Sequence, residues 1–278
     1  LGMEFSRINN AQIKVTMNGY INKLLDELDI KDTVVNPAGP NLFNINNKSE
    51  LLNEKDKKQF HTICAKLLYA SKRVRIDIAT AISFLCTRVS KPTKDDMSKL
   101  IHLLKYLNST RDHYIILSAT NNLQIKAYVD ASWGCHHDGK GHTGIYATLG
   151  SGPIIAKSIK QKSIGLSSTE SELISLTDAY PSIAWLRSFL IEQGHSVGPA
   201  IIYQDNNGVL ELIKNGSGIS AKTKHFKIKY FAIKEKIDNN ELTLVKCKTE
   251  HMLADIFTKS LQGSLFKTMK NNTMNYST

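Results

Sequence analysis

Four carboxylates, Asp130, Glu172, Asp205 and Asp255, stand where this sequence passes from one element to the next. Leu123, Ile125, Ala127 and Val129 alternate with Gln124, Lys126, Tyr128 and Asp130, the pattern of a strand with two unlike faces that closes on an aspartate. Ala200, Ile201, Ile202, Tyr203 and Gln204 form a second short strand, closed by Asp205. Glu172 follows the hydroxyl-rich run Ser167-Ser168-Thr169, which marks a helix start. The core stripe of that helix is Leu176, Ala179, Ile183, Leu186 and Leu190, and Glu172 lies four residues before its first member, on the side that becomes buried. Glu170 shares a different face with Ile174, Thr177 and Pro181. Asp255 falls near the start of a helix expected over residues 251–259. Taken singly, each acid reads first as a cap, a turn residue or a partner of the helix dipole. As a set they suit something else. A carboxylate on a buried helix face needs a cation beside it, and two Mg²⁺ ions about 4 Å apart, held by several such oxygens, activate water, orient a phosphodiester and stabilise the leaving oxygen.

The elements that must position these acids can be read from periodicity. Strands over 143–149 and 153–159, joined by Gly150-Ser151-Gly152, extend the first strand into an antiparallel set of three. A helix begins near Val209. A basic amphipathic helix spans 222–239, with Phe226, Tyr230, Ile233 and Ile237 inward and Lys224, Lys227, Lys234 and Lys236 outward. A strand follows over 242–246. Before residue 119 the reading is mainly helical: a helix over 13–30, an irregular stretch over 31–54 broken by Pro37, Gly39 and Pro40, a helix through Phe60, Ile63, Leu67 and Leu68, another over 76–87, and one capped by Thr93 with Asp95 and Asp96 in its first turn. The basic run Lys72-Arg73-Val74-Arg75 reads as a solvated helix end in preference to a phosphate contact.

The 278 residues suffice for two cores. Thirty-six Lys and Arg against 25 Asp and Glu leave a net charge of +11, which favours a polyanionic partner, nucleic acid or a membrane surface. No apolar run approaches the ~20 residues of a bilayer span, and the first residues are no signal peptide, so an intracellular setting without a membrane is expected. The four cysteines show no paired spacing, consistent with a reducing compartment. Leu1-Gly2-Met3-Glu4-Phe5 reads as a strand entered mid-domain, as in a fragment.

The order and spacing of several runs resemble the ribonuclease H domain of copia-type retrotransposon Pol polyproteins. They are Tyr128-Val129-Asp130-Ala131-Ser132-Trp133, Lys160-Gln161-Lys162-Ser163 leading to Leu166-Ser167-Ser168-Thr169-Glu170-Ser171-Glu172-Leu173, Tyr203-Gln204-Asp205-Asn206, Thr223-Lys224-His225-Phe226 and Leu253-Ala254-Asp255-Ile256-Phe257-Thr258-Lys259. Gly19-Tyr20-Ile21, Ala65-Lys66-Leu67-Leu68-Tyr69 and Leu104-Lys105-Tyr106-Leu107 resemble the region that follows the polymerase palm in such polyproteins. The resemblance implies an α/β fold: a ribonuclease H-like mixed five-stranded sheet flanked by helices over 119–262. A mainly helical connection- or thumb-like region over 1–118 precedes it, and a tail over 263–278 follows. It implies Asp130, Glu172, Asp205 and Asp255 as ligands of two Mg²⁺ ions, with Mn²⁺ as a substitute, and cleavage of the RNA strand of an RNA–DNA hybrid. It also implies a polymerase palm and fingers upstream as partners, since no Tyr-x-Asp-Asp turn occurs in this sequence.

Lys140, His142, Lys224, His225, Lys227 and His251 are the expected nucleic-acid contacts, a plain surface residue being the alternative for His251. Pro181 interrupts the helix that carries Glu172, at a cost of about 3 kcal/mol, and leaves open a second reading: an inactive remnant that grips nucleic acid. Cys135, His136, His137 and His142 match no common zinc spacing. The expected location is the cytoplasm, within a virus-like particle, or the nucleus.

Overall fold

The computed structural model describes residues 2–215 and 224–276, apart from the side chains of Lys224 and His225. The chain divides into two compact units, one reaching to Leu117 and taking up the chain again from Lys259, the other covering Ser118–Thr258.

The first unit begins with an antiparallel hairpin, β1 (Glu4–Asn9) and β2 (Gln12–Thr16), and then α1 (Asn18–Glu27). The helix expected from residue 13 therefore starts later. Ile13, Val15 and Thr16 are β-branched and favour the pleated strand, and its end, Val15 and Thr16, is buried. Helices α2 (Glu54–Ser71), α3 (Ala79–Cys86), preceded by a 3-10 turn at Ile76–Ile78, and α4 (Lys94–Asn108) follow. Thr93 caps α4 as the sequence suggests, and Asp96 closes a reciprocal capping box. Strand β3 (Tyr114–Ala119) leads toward the second unit.

Two expectations fail in this unit. Arg75 is no solvated helix end. It is fully buried, with its Nε and Nη2 donating to the two oxygens of Asp77 at 3.0 and 2.7 Å and its Nη1 to the Thr110 carbonyl at 3.0 Å. Tyr106 donates to the same aspartate at 2.7 Å. The segment after residue 262 is no tail: α8 (Gly263–Met274) buries Phe266, Met269 and Met274, with Phe266 edge-on to Tyr106 at 5.9 Å between ring centres.

The second unit is built on β4 (Lys126–Ser132), β5 (His142–Thr148), β6 (Gly150–Ser151), β7 (Ile155–Lys160), α5 (Ser168–Glu192), β8 (Ala200–Gln204), α6 (Asn207–Asn215), α7 (Lys224–Asp238) and β9 (Leu242–Lys246). Five of its strands form one mixed sheet in the order β7-β5-β4-β8-β9, with β4-β5 and β5-β7 antiparallel and β4-β8 and β8-β9 parallel. Ile125, Ala127 and Val129 point to one face, where they meet Leu173, Leu176, Ala179 and Ile183 of α5 and Phe226, Tyr230 and Ile233 of α7. On the other face Tyr128 stacks on Tyr203 at 4.6 Å and both pack on Cys247, Met252 and Ala254. The helix expected over 251–259 is instead two 3-10 turns, Thr249–His251 and Asp255–Phe257, laid against that face. Helix α5 runs unbroken through Pro181, which is exposed. Among the described residues no helix is long and apolar enough to cross a membrane.

The Arg75–Asp77 pair gives the first unit a testable weak point. Burial would raise the Asp77 carboxyl, but Arg75, together with His113, holds it well below the usual carboxylate range. The stability this contributes is present above the unfolded carboxyl pKa of about 3.9 and is lost as pH falls below it. Replacing Asp77 with Ala strands a buried guanidinium, so denaturant unfolding should show a loss of about 3–5 kcal/mol. A change below 1 kcal/mol would show that the pair does not act as described.

Candidate metal-binding active site

Parallel pairing of β4 with β8, Tyr128 opposite Tyr203, brings the carboxyl ends of the two strands side by side. That juxtaposition sets Asp130, two residues past the last pair, near Asp205, which directly follows β8. Helix α5 crosses the same face, and its start is fixed by Ser167, whose hydroxyl accepts from the Glu170 N–H at 3.2 Å. Glu170 in turn accepts from the Leu166 N–H at 2.6 Å. Glu170 is thus the acid committed to the helix start, and Glu172, one turn into the buried side, remains for the site.

Oxygens of Asp130, Glu172 and Asp205 all lie within 4.8 Å of one another, and among the described residues theirs is the one His/Cys/Asp/Glu group able to hold a metal ion. Asp130 and Glu172 are buried and Asp205 half-buried. Burial raises the Glu172 carboxyl well above its ordinary value, and the charges of Asp130 and Asp205 add to the rise against a hydrogen bond from Gln204. Three acids in such proximity fit a divalent cation: the donors are hard oxygens, and octahedral Mg²⁺ at 2.0–2.1 Å from each places ligand atoms about 3–4 Å apart.

Asp255, the fourth candidate, is buried in the 3-10 turn Asp255–Phe257 and lies outside that 4.8 Å group. Its charge reaches the Cys247 thiol, as does that of Asp205; burial and then these charges push that thiol up.

Neighbouring side chains hold the three acids. Gln204 Nε2 donates to Glu172 Oε2 at 3.2 Å, Thr249 Oγ1 to Asp205 Oδ2 at 3.0 Å, and Thr258 Oγ1 to Asp130 Oδ2 in a short hydrogen bond. None of these three was singled out from sequence. Gln204 did carry a signal, being a polar residue at the core-facing position that Ala200 and Ile202 establish; Thr249 and Thr258 carried none, since only the fold brings them in.

The expected nucleic-acid contacts separate into three groups. His142 cannot serve. It is fully buried in β5, with Nδ1 2.9 Å from His136 Nε2 and its own Nε2 2.6 Å from Ser158 Oγ. Burial lowers His142 to about 3 and His136 to about 4, so both are neutral at neutral pH. Lys140, Lys227 and His251 remain accessible to different degrees, Lys140 beside Asp138 at 3.7 Å and His251 exposed in the turn that also carries Thr249. Lys224 and His225 open α7, and their side chains lie outside the described residues. On the polar face of β4, Tyr128 is half-buried and packs against Met252 and Ala254.

A mixed sheet with three antiparallel strands, two more added in parallel, and acids at the ends of its first and fourth strands defines the second unit as a ribonuclease H-like α/β domain. The chain's homologues over most of its length are copia-type retrotransposon Pol polyproteins. It is 28% identical over 282 residues to the Retrovirus-related Pol polyprotein from transposon TNT 1-94 of Nicotiana tabacum, covering 97% of this chain and 21% of that protein. Its identity to the transposon RE2 Pol polyprotein of Arabidopsis thaliana is 33% over 214 residues, 76% of this chain and 15% of the relative. The truncated transposon Ty1-A Gag-Pol polyprotein of Saccharomyces cerevisiae is 23% identical over 98% of this chain and 24% of its own length. The chain therefore spans less than a quarter of these relatives. No family model matches it. Among solved structures, LC11-RNase H1 aligns over 49% of this chain and 93% of its own at 16% identity and a TM-score of 0.34. A foamy viral protease-reverse transcriptase in complex with double-stranded DNA aligns over 75% and 34% at 15% identity and a TM-score of 0.46.

Two outcomes test this geometry. Because burial and then the neighbouring acids raise the Glu172 carboxyl, the metal-free fold loses stability relative to the unfolded chain as pH rises above the ordinary carboxylate range, and regains it as pH falls back into that range. Glu172→Gln should therefore raise the melting temperature of the metal-free protein, by roughly 2–4 °C for each kcal/mol of repulsion relieved, and abolish the further rise that Mg²⁺ gives wild type; an unchanged or lower metal-free melting temperature would contradict the clustering. Gly144 lies opposite Asp130, and a Cβ there would meet the Ala254 carbonyl and Thr258 Cγ2, each at 2.7 Å. Gly144→Ala should displace Thr258 from Asp130 and lower stability by about 1–3 kcal/mol, read by thermal melting.

Proposed function

We propose that the second unit is a divalent-metal-dependent ribonuclease H that hydrolyses the RNA strand of RNA–DNA hybrids. The observation that carries this reading is the convergence of Asp130, Glu172 and Asp205 at one sheet edge, with neutral donors holding each. Two bound Mg²⁺ ions, or Mn²⁺ in their place, would supply Lewis acidity at the phosphate and lower the pKa of the attacking water. In this reading Asp130, Glu172 and Asp205 would hold the metal ions, Glu172 would also orient the substrate 2′-hydroxyl on the leaving side, and Asp255 would serve the other side. Water attacks phosphorus in line, leaving a 5′-phosphate and a 3′-hydroxyl with no covalent intermediate. The 2′-hydroxyl is the group by which RNA is distinguished from DNA. Lys140, Lys227 and His251, with Lys224 and His225, supply contacts to the backbone, in keeping with a net charge of +11. The first unit takes the place of the region following a polymerase palm, supporting the nuclease and guiding the hybrid.

The test is a cleavage assay on a labelled RNA–DNA hybrid with Mg²⁺. Asp130→Asn and Asp205→Asn should each lower cleavage by roughly 10²- to 10⁴-fold, the loss of several kcal/mol of transition-state stabilisation, while hybrid binding persists and weakens steeply with salt. Wild-type cleavage no greater than that of Asp130→Asn, with binding retained in both, would leave a nucleic-acid-binding module in place of an enzyme.

A further inference from the structure

Trp133 follows β4 by one residue and Asp130 by three, on the strand end that carries the site. Its indole Nε1 donates to the Gly165 carbonyl at 2.7 Å, and yet 54% of the residue is exposed. The acceptor side of this bond is firmly placed. A Cβ on Gly165 would lie 2.9 Å from the Ser171 backbone nitrogen, so its backbone is pressed against the first turn of α5, and the Leu166 N–H is bonded to Glu170. The indole thus ties the loop after Asp130 to the start of the helix bearing Glu172. With its one polar atom satisfied inside the protein, what the side chain offers to solvent is a rigid apolar ring face. Leu166 and Ile164, 69% and 49% exposed, lie on the loop that holds it.

A ring fixed in this way is pre-organised for a ligand with a flat or apolar surface, and the ligand at this edge must also carry a phosphate to the acids. Three extended residues span about 10 Å, a reach of a few nucleotides along a nucleic-acid strand. In an A-like duplex the wide, shallow minor groove presents ribose and base edges at that distance, whereas the deep major groove does not.

We propose that Trp133 is a substrate-positioning residue of the nuclease site, its exposed face packing on the ribose and minor-groove base edge of the RNA strand within two or three nucleotides of the scissile phosphate. The inference rests on the ribonuclease H reading above. The acids bind the reacting phosphate; the ring fixes the register of the strand that passes over them.

The chain contains two tryptophans, Trp133 and Trp185, so Trp185→Phe leaves Trp133 as the single indole reporter. Adding hybrid to that variant in Ca²⁺, to limit turnover, should shift Trp133 emission to shorter wavelength as the ring loses water, with a midpoint equal to the Kd from fluorescence anisotropy of the labelled hybrid. In steady-state cleavage with Mg²⁺, Trp133→Ala should raise KM by roughly 5- to 50-fold, the range expected for losing one aromatic–nucleotide contact, with a smaller change in kcat. Trp133→Phe, which keeps a ring but loses the bond to Gly165, should recover most of the KM. Two results overturn the proposal while leaving the nuclease reading intact: wild type cleaves hybrid but Trp133 emission does not respond to it, or Trp133→Phe is as impaired as Trp133→Ala with the loss in kcat, as for a strap alone. A wild-type protein that neither binds nor cleaves hybrid overturns both readings together.

Discussion

Three carboxylates held within 4.8 Å of one another repel, and the second unit is arranged so that they cannot move apart. Asp130 and Asp205 are fixed by the parallel pairing of β4 and β8, and Glu172 by a helix whose start is fastened through Ser167 and Glu170. The remaining freedom of each acid is taken up by a neutral donor, Thr258, Thr249 or Gln204. Neutral partners matter here, since a lysine or arginine in the same place would cancel the charge that draws a cation. Burial first, and then this repulsion, raise the Glu172 carboxyl, and a divalent ion is the natural means of relieving both.

The rest of the second unit follows from that requirement. The C-terminal segment carrying Met252, Ala254 and Phe257 covers the face of the sheet opposite α5, with Phe257 stacked on Tyr146, and thereby delivers Thr258 to Asp130. Gly144 is where this segment comes closest to β5, and the absence of a side chain there allows the approach. The buried His136–His142–Ser158 chain links the loop after β4 to β5 and β7 and is uncharged at neutral pH.

The first unit uses the opposite electrostatic arrangement. Arg75 and Asp77 are buried as a pair, with Tyr106 and Thr110 completing their hydrogen bonds, so the two charges offset each other locally. Burial of charge alone therefore does not distinguish a site in this chain; the three acids differ from the Arg75–Asp77 pair in being gathered with one sign of charge.

How much could be read in advance depended on whether a signal was local. Alternation in β4 and β8, the hydroxyl-rich start of α5 and the place of Glu172 ahead of a core stripe are properties of consecutive residues, and they identified three acids and the strands and helix carrying them. Where a short β-branched run competed with a helical stripe, as at Ile13–Thr16, or where an apolar segment was too short to fill a helix, as around Asp255, sequence favoured the wrong element because packing against a sheet outweighed propensity. His142 and Arg75 looked like surface cations because composition shows charge without depth. The sequence determined which residues possess the chemistry and roughly which elements hold them, since those follow from backbone periodicity. Only the tertiary structure decided that Asp255 stands outside the tight cluster, that Thr249, Thr258 and Gln204 hold the acids, and that His142 is sealed from solvent, because each depends on contacts between residues far apart in the chain.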